Sequence, residues 1–322
     1  TINATNIQVA AVLLVIAAVV KSAQFPFHTW LPQTMQTPTP VSALMHAGIV
    51  NAGGYLIVRL HPVVVAAPWV MAVLAAFGIL TVTYAAVVMT TQTSVKRTLA
   101  YSTIAQMGFM ILQCGLGAFS AAMLHILAHS MYKAHAFLSS GSQIANYATP
   151  SLLPPRRESI SRGRSISVQL GLFAAGVSLL FGFLMLLGVD PISKPGGLVL
   201  GAIIALAVSR WLGQMLQFGD RKTQLRSAIV SVLLLATYGF SYRCVSWFTQ
   251  NADGLASTSI PVFQWVAIGS IVTLGFVLLL IVELTSSRPA FSSRLQSLYV
   301  HASNGFYMDG ILRRTFGTLM SS

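Results

Sequence analysis

The segment from Pro68 to Thr90 runs for 23 residues without a charged side chain. About 20 mostly apolar residues are enough to cross the hydrocarbon core of a bilayer. Only 8% of the 322 residues are charged and 55% are hydrophobic, whereas a soluble domain carries about 25% charge. A water-facing surface cannot be built from so few charges. The sequence therefore predicts a membrane protein that crosses the bilayer several times.

Apolar runs of spanning length predict an all-α polytopic fold with about nine transmembrane helices. The predicted spans are 6–22, 40–60, 66–90, 99–118, 121–146, 167–188, 197–213, 225–247 and 262–284. A polar connection at 148–166, with a basic cluster, separates the first five from the last four. We therefore divide the chain into a core at 1–147, a basic loop at 148–166, C-terminal spans at 167–286 and an amphipathic tail at 287–322.

The Lys and Arg residues are distributed unequally between the two sides of the predicted membrane. Of 19, two (Lys21 and Lys133) fall in spans, three (Arg59, Lys194 and Arg243) fall on one side and the remaining fourteen on the other. Positive loops face the cytoplasm, so the C-terminus, the basic loop and the tail are predicted to be cytoplasmic. Because the net charge of +13 comes from short clusters between apolar runs, it does not indicate a nucleic-acid partner.

Lys21 and His46 are ionisable residues in or beside predicted spans, where such groups are costly and usually functional. Pro26, Pro32, Pro38 and Pro40 follow Lys21 and predict a broken helix, a feature of ion sites in transporters. A lysine at a span end could instead reach the interface with its ammonium. His46 could likewise be a neutral histidine bonded to a neighbouring helix.

His125, His129 and Lys133 are spaced i, i+4, i+8 in one predicted span. On a helix this spacing puts them on one face over roughly 12 Å. Histidine titrates near neutral pH, and a desolvated lysine can approach that range. Such a row could pass a proton through intervening waters, although a structural row is an alternative. We do not expect zinc, because Asp and Glu are missing nearby and Lys133 would repel a cation.

The remaining sequence indicates no chemistry of its own. It has no Gly-rich phosphate loop, no Cys cluster and no nucleophile–base arrangement, so we expect no cofactor, no metal and no enzymatic activity of the chain by itself. His28 and His61 fall in predicted loops. The tail is too polar to span but is rich in aromatic and aliphatic residues, namely Phe291, Leu295, Leu298, Tyr299, Phe306, Tyr307, Ile311, Leu312 and Phe316. Such a segment indicates either a partner-docking surface or an interfacial helix.

Four motifs resemble the core of the antiporter-like subunits, a family that includes the NuoL-type subunit of respiratory complex I, the large Mrp antiporter subunit and DabB of an inorganic-carbon-accumulating complex. They are Lys21 to Pro32, Thr37 to His46, Lys96 to Gly108 and His125 to Lys133. The resemblance covers about 1–147. It implies a proton or cation pathway through Lys21, His46, His125, His129 and Lys133, with Ser42 and Lys96 as accessory residues.

Details within the family are most similar to the DabB group. Gln33 and Gln36 stand where complex I subunits carry an acidic pair, and His46 to Gly54 and the tail stretch Asn304 to Gly310 are also similar to DabB. This resemblance implies a multi-pass subunit of a bacterial inner membrane that conducts protons or Na⁺. That flow would drive one-way hydration of carbon dioxide by a zinc-binding, carbonic-anhydrase-like partner, DabA. A proton-pumping complex I subunit, an Mrp-type antiporter and a non-transporting scaffold stay open as alternatives.

Two departures from the family pattern matter. The family has further helices before Lys21, one with a Glu that pairs with this lysine, so we expect this chain to be the C-terminal part of a longer subunit. Complex I relatives also carry a Lys or Glu in a broken helix after the His-rich one. The span 167–188 contains neither, which leaves the exit of the pathway undefined.

Overall fold

The computed structural model describes residues 4–141, 162–189, 195–218, 220–249 and 299–320, together with residues 270 and 297. Secondary structure in these residues is helical, and no strand occurs among them. The helices are α1 (Ala4–Lys21), α2 (Trp30–Gln33), α3 (Thr39–Ala47), α4 (Ala52–Arg59), α5 (His61–Val65), α6 (Pro68–Thr90), α7 (Val95–Gly115), α8 (Phe119–Leu138), α9 (Arg162–Leu186), α10 (Pro195–Phe218), α11 (Arg221–Phe248) and α12 (Met308–Met320). Turns of 3₁₀ helix occur at Thr34–Gln36, Ile49–Asn51 and Gly305–Tyr307.

The predicted spans up to residue 247 fall on helical segments; the span 40–60 falls on α3 and α4, and residues 142–146 of the span 121–146 lie outside the described residues. Four helices are long and apolar enough to cross a membrane, at Thr39–Arg59, Pro68–Thr90, Ser167–Leu186 and Arg221–Phe248. Helices α7 and α8 are of spanning length but carry several charged or polar side chains, which lower their hydropathy. The predicted span at 262–284 lies outside the described residues, so the total of nine stays a prediction. His61 is not in a loop as predicted; it begins the short helix α5.

Helices α6 and α7 pack backbone to backbone. A Cβ on Gly78 would lie 2.5 Å from the amide nitrogen of Leu112, and a Cβ on Gly108 would lie 2.8 Å from that of Val82. Small residues at such a contact permit close approach of helices in lipid, where the hydrophobic effect does not hold helices together. Helix α8 packs against α7 of this close pair.

The span Thr39–Arg59 consists of α3 and α4, separated at Gly48 by the 3₁₀ turn Ile49–Asn51. Two buried side chains hold this region. Ser22 donates to the carbonyl of Val50 at 2.8 Å, and Asn51 donates to the carbonyl of Ala47 at 2.7 Å and to Ser130 Oγ of α8 at 2.9 Å. The interruption is therefore tied to α1 on one side and to α8 on the other.

Helices α9, α10 and α11 form a second block that meets the first beside α8. The junction is an apolar cluster in which Ala118 and Ala121 contact Leu180, Leu184 and Tyr242. A hydrogen bond of 2.7 Å between the hydroxyls of Ser120 and Thr249 joins the same two blocks. Helix α8 is thus enclosed by α3, α7 and α11, and its side chains are shielded on several sides.

The tail folds back onto the chain at the end where α6 finishes and α7 begins. Gly305, Phe306 and Tyr307 have φ angles of 60°, 51° and 59°. The hydroxyl of Tyr84 donates to the carbonyl of Gly305 at 2.9 Å, and Gln33 donates to Asp309 at 3.1 Å. Three consecutive residues in the left-handed region are uncommon, and these contacts hold the tail turn (Ser303–Asp309) in that conformation.

Candidate functional site

Lys133 is completely buried on α8. Its Nζ donates to Ser102 Oγ at 2.8 Å and to the carbonyl of Leu99 at 3.3 Å, both on α7. Both partners are neutral. No Asp or Glu occurs in the sequence before Glu158, so the described part of the core offers the ammonium no carboxylate. An unpaired charge in a low-dielectric interior is expensive, which makes this lysine the most unusual group in the described fold.

His46 and His129 approach Lys133 from α3 and α8. His46 is fully buried and its ring stacks on Phe137, with 4.5 Å between centroids. Both ring nitrogens of each histidine are buried and have no hydrogen-bond partner among the described protein groups. Lys133 is close enough to both rings to interact with them electrostatically. Buried polar nitrogens of this kind usually bond to internal water or to a passing ion.

His125 continues the row one helical turn before His129, and their ring centroids are 6.0 Å apart. The ring of Phe109 lies against it at 5.5 Å. His125 Nδ1 lies 3.1 Å from Oε1 of Gln113, a buried residue in the last turn of α7. The structure thus brings His46, His125, His129 and Lys133 together around α8.

The other residues singled out from the sequence lie apart from this cluster. Lys21 is exposed at the last residue of α1. Ser42 is buried on α3 and bonds Thr37 Oγ1 at 3.0 Å, while Lys96 is half-buried and donates to the carbonyl of Thr37 at 3.4 Å. Ser42 and Lys96 therefore both form hydrogen bonds with Thr37, a loop residue. His135 is exposed and points away from the row.

A polar cavity of about 720 Å³ lies where the tail turn meets the core. His28, Tyr84, Lys96 and Tyr101 line it from the core side. Tyr101 directly precedes Ser102, whose hydroxyl binds Lys133, so one turn of α7 contributes both to the cavity lining and to the lysine site. His28 lies in the turn before α2, as expected from the sequence, and it is buried; burial lowers its pKa from 6.5 to about 4.

The sequence patterns did not indicate that Ser102, Gln113 and His28 line the site or the neighbouring cavity. Serine and glutamine within a predicted span are common, and no periodicity marks them. One sequence feature could have indicated Gln113. The turn Leu116–Ala118 between α7 and α8 is short, so the end of α7 must lie against the start of α8. In the described residues, no group of three or more His, Cys, Asp or Glu is arranged to hold a metal ion.

Comparisons with known proteins show which proteins this chain resembles. Residues 1–152 match the family model described as NADH:quinone oxidoreductase/Mrp antiporter, TM. The resemblance to the antiporter-like family expected from the sequence motifs is thus confirmed over these residues. Together with the long apolar helices, the match supports a multi-pass membrane protein.

Individual relatives extend the comparison over the rest of the chain. The probable inorganic carbon transporter subunit DabB2 of Halothiobacillus neapolitanus is 37% identical over 311 residues, which cover 96% of this chain and 55% of the relative. The chloroplastic NAD(P)H-quinone oxidoreductase subunit 5 of Nymphaea alba is 46% identical over 144 residues, 44% of this chain and 19% of the relative. The chain thus spans about half of the length of DabB2.

A solved structure shares the arrangement of helices. The Mrp complex from Dietzia sp. DQ12-45-1b superposes with a TM-score of 0.53 at 26% identity, covering 99% of this chain and 38% of the matched chain. Both blocks of the present chain therefore have counterparts in a larger chain of that complex.

Proposed function

We propose that this chain is the proton- or cation-conducting part of a membrane subunit that energises inorganic carbon uptake. The ion flow, of protons or Na⁺, drives one-way hydration of carbon dioxide by a zinc-binding, carbonic-anhydrase-like partner similar to DabA. The observation that carries this proposal is the fully buried Lys133, which is held by two neutral groups.

A lysine among neutral partners can gain and lose a proton, whereas a carboxylate partner would hold it in the charged form. His129 and His125 continue from Lys133 along α8, and His46 joins from α3. The unpartnered ring nitrogens of His46 and His129 are suited to hydrogen-bonded water between these groups. Lysine, histidines and water together form a row that supports proton transfer through the core.

Inorganic carbon uptake is preferred to the alternatives for two reasons. The relative that matches 96% of the chain is named for inorganic carbon transport. Gln33 and Gln36 also replace the acidic pair that complex I subunits typically carry. The alternatives are a proton-pumping subunit of an NADH:quinone oxidoreductase and an Mrp-type antiporter subunit, in keeping with the other relatives.

The proposed orientation puts the tail on the cytoplasmic side of a bacterial inner membrane. Contacts of the described tail support the alternation of spans from which that orientation was predicted. Gln33 follows α1 and Gln92 follows α6, and these side chains bond Asp309 and the carbonyl of Ser303 in the tail turn at 3.1 and 3.4 Å. The distribution of Lys and Arg predicts that the segments after α1 and α6 and the tail all lie on the membrane side that carries most of the basic residues.

The test uses the whole subunit, expressed with its partner in a host that lacks carbonic anhydrase. Uptake of labelled inorganic carbon at limiting carbon dioxide is measured with and without a protonophore and a Na⁺ ionophore. We expect uptake in the wild type that collapses when the driving ion gradient is removed. Lys133→Ala should abolish uptake while the complex still assembles, and the exposed Lys222→Ala should behave like the wild type.

Three results would contradict the proposal. Uptake that persists without either ion gradient would show that uptake is not coupled to ion flow. Full activity of Lys133→Ala would show that Lys133 is not needed for conduction. A purified complex that reduces quinone with NADH would establish the oxidoreductase alternative instead.

A further inference from the structure

Gln113 is a buried polar side chain in a membrane helix, and it is not one of the residues of the proposed pathway. It is 5% exposed and lies in the last turn of α7. Gly117, with a φ of 64°, turns the chain sharply between α7 and α8. This turn brings residue 113 opposite residue 125, where Oε1 of Gln113 meets Nδ1 of His125 at 3.1 Å.

An amide oxygen can only accept a hydrogen bond. With the Gln113 amide oriented as in the structure, the contact requires a proton on Nδ1 of His125. In the neutral ring, the lone pair is then left on Nε2, so Nε2 is the nitrogen that can take up the next proton. When it does, Nδ1 keeps its proton and its bond to Gln113, and the ring need not turn between the two states.

We propose that Gln113 is a positioning residue that fixes the Nδ1–H tautomer and the ring orientation of His125, making Nε2 the proton-accepting atom at this end of the row. The role in conduction rests on the proposed function, whereas the tautomer does not. A neutral acceptor suits a relay, because it orients the ring without retaining the proton. A carboxylate at the same place would orient the ring equally well but would hold the imidazolium through a charge-assisted bond.

The orientation matters because His125 has few other restraints. The residue is partly buried, and its ring contacts Phe109 and His129 at centroid distances of 5.5 and 6.0 Å. Neither contact selects a tautomer, since the Phe109 ring has no hydrogen-bonding atom and the His129 nitrogens have no partner among the described groups. The bond from Gln113 is thus the described contact that distinguishes the two ring nitrogens.

The first measurement is the tautomer itself, in the whole subunit within its complex. Solid-state ¹⁵N NMR of histidine-labelled protein, with His125→Gln to identify the signal, distinguishes Nδ1–H from Nε2–H. We expect Nδ1–H in the wild type at neutral pH. A His125 signal from the Nε2–H form would overturn the proposal without any change at residue 113.

The second measurement compares proton flux in liposomes that contain the complex. Gln113→Met keeps the side-chain length but removes the acceptor, and should release the tautomer and lower the flux roughly tenfold, as when a group orienting a functional histidine is lost. Gln113→Glu should keep Nδ1–H yet also lower the flux, because it holds the proton on His125. Gln106→Met, an exposed glutamine two turns earlier on α7, should change neither.

The outcomes separate this proposal from the proposed function. If Gln113→Met leaves the tautomer or the flux unchanged, Gln113 has no positioning role. If His125→Gln conducts like the wild type, the conducting row is wrong, and the tautomer is then judged by the NMR signal alone.

Discussion

The ammonium of Lys133 on α8 donates to the hydroxyl of Ser102 on α7, with 2.8 Å between Nζ and Oγ. This bond links a buried cation to a neutral, rotatable group that can also accept from water. It lies one residue from Tyr101, which lines the polar cavity under the tail turn. The same turn of α7 therefore contributes both to the lysine site and to this cavity.

Ser102→Ala should weaken both the fold and the conduction. The variant removes a hydrogen bond to a charged group, which contributes about 1.5–3 kcal/mol, and leaves Lys133 with the Leu99 carbonyl. We expect a lower free energy of unfolding in detergent and a reduced proton flux, but less loss than in Lys133→Ala. Ser94→Ala is the control, since the exposed Ser94 side chain makes no capping bond at the start of α7. Equal flux and stability in the two serine variants would contradict the assigned role of Ser102.

The helices and the row on α8 could be predicted from the sequence because both depend on local pattern. Apolar length marks the spans, and a spacing of four residues puts His125, His129 and Lys133 on one face whatever surrounds them. The partners Ser102 and Gln113 could not be predicted in the same way. They depend on how α7 and α8 are rotated against each other, and that rotation is set by packing with α6, where Gly78 and Gly108 permit backbone contact.

The contacts of the tail also could not be predicted from local sequence pattern. Aromatic residues predicted a contact surface, but composition does not say whether the contact is with a partner or with the chain itself. Phe306 packs against the hydrophobic core, with its ring 6.0 Å from that of Tyr84, whereas Tyr299 and Tyr307 stay about half exposed. One segment thus presents two faces. Phe291, Leu295 and Leu298, named with them from the sequence, lie outside the described residues.

Gly305→Ala should release the tail turn from the core. Gly305 has a φ of 60°, and a Cβ there would lie 3.2 Å from the hydroxyl of Tyr101 and 3.3 Å from that of Tyr84. Left-handed backbone costs an L-residue roughly 1–2 kcal/mol more than glycine. We expect faster amide hydrogen exchange at 299–309. Gly310→Ala is the matched control, because a Cβ on Gly310 meets nothing within 4 Å; equal exchange in both variants would show that the turn is not held by these contacts.

Docking of the tail turn should also weaken in acid through His28. Because Tyr84 donates its proton to Gly305 at 2.9 Å, it must accept from Nε2 of His28 at 3.0 Å. Burial lowers the pKa of His28 from 6.5 to about 4, against smaller opposing effects of the Pro26 backbone and Asp309. A folded-state pKa below the unfolded value means that the stabilisation is complete above pH 6.5 and is lost as the pH falls toward 4.

Hydrogen exchange at 299–309 between pH 7.5 and 4 checks this expectation, after correction for the intrinsic pH dependence of exchange. His28→Gln keeps a donor for Tyr84 but does not titrate, so it should flatten the response. The exposed His301 lies beside Tyr307, with 5.7 Å between ring centroids, and His301→Gln should leave the response in place. A pH response that survives in His28→Gln would assign the effect to another group.

The outward face of the tail should bind the partner subunit, while the inward face binds the core. Tyr299, Tyr307 and Ile311 are 51%, 49% and 52% exposed. Exposed aromatic and aliphatic groups in one short segment are typical of an interaction surface. Changing all three to serine should reduce co-purification of the carbonic-anhydrase-like partner from detergent by about tenfold or more, since loss of a few anchor residues typically costs more than 1 kcal/mol each. His301→Ala, which changes a polar residue in the same segment, should leave the yield unchanged.

If the triple variant keeps its partner but the isolated tail peptide loses binding to lipid vesicles when it carries the same changes, this face lies on the membrane and the partner docks elsewhere. Deletion of 287–322 alone could not separate these cases, because it would also remove Gly305 and Phe306 and so open the cavity beside the lysine site.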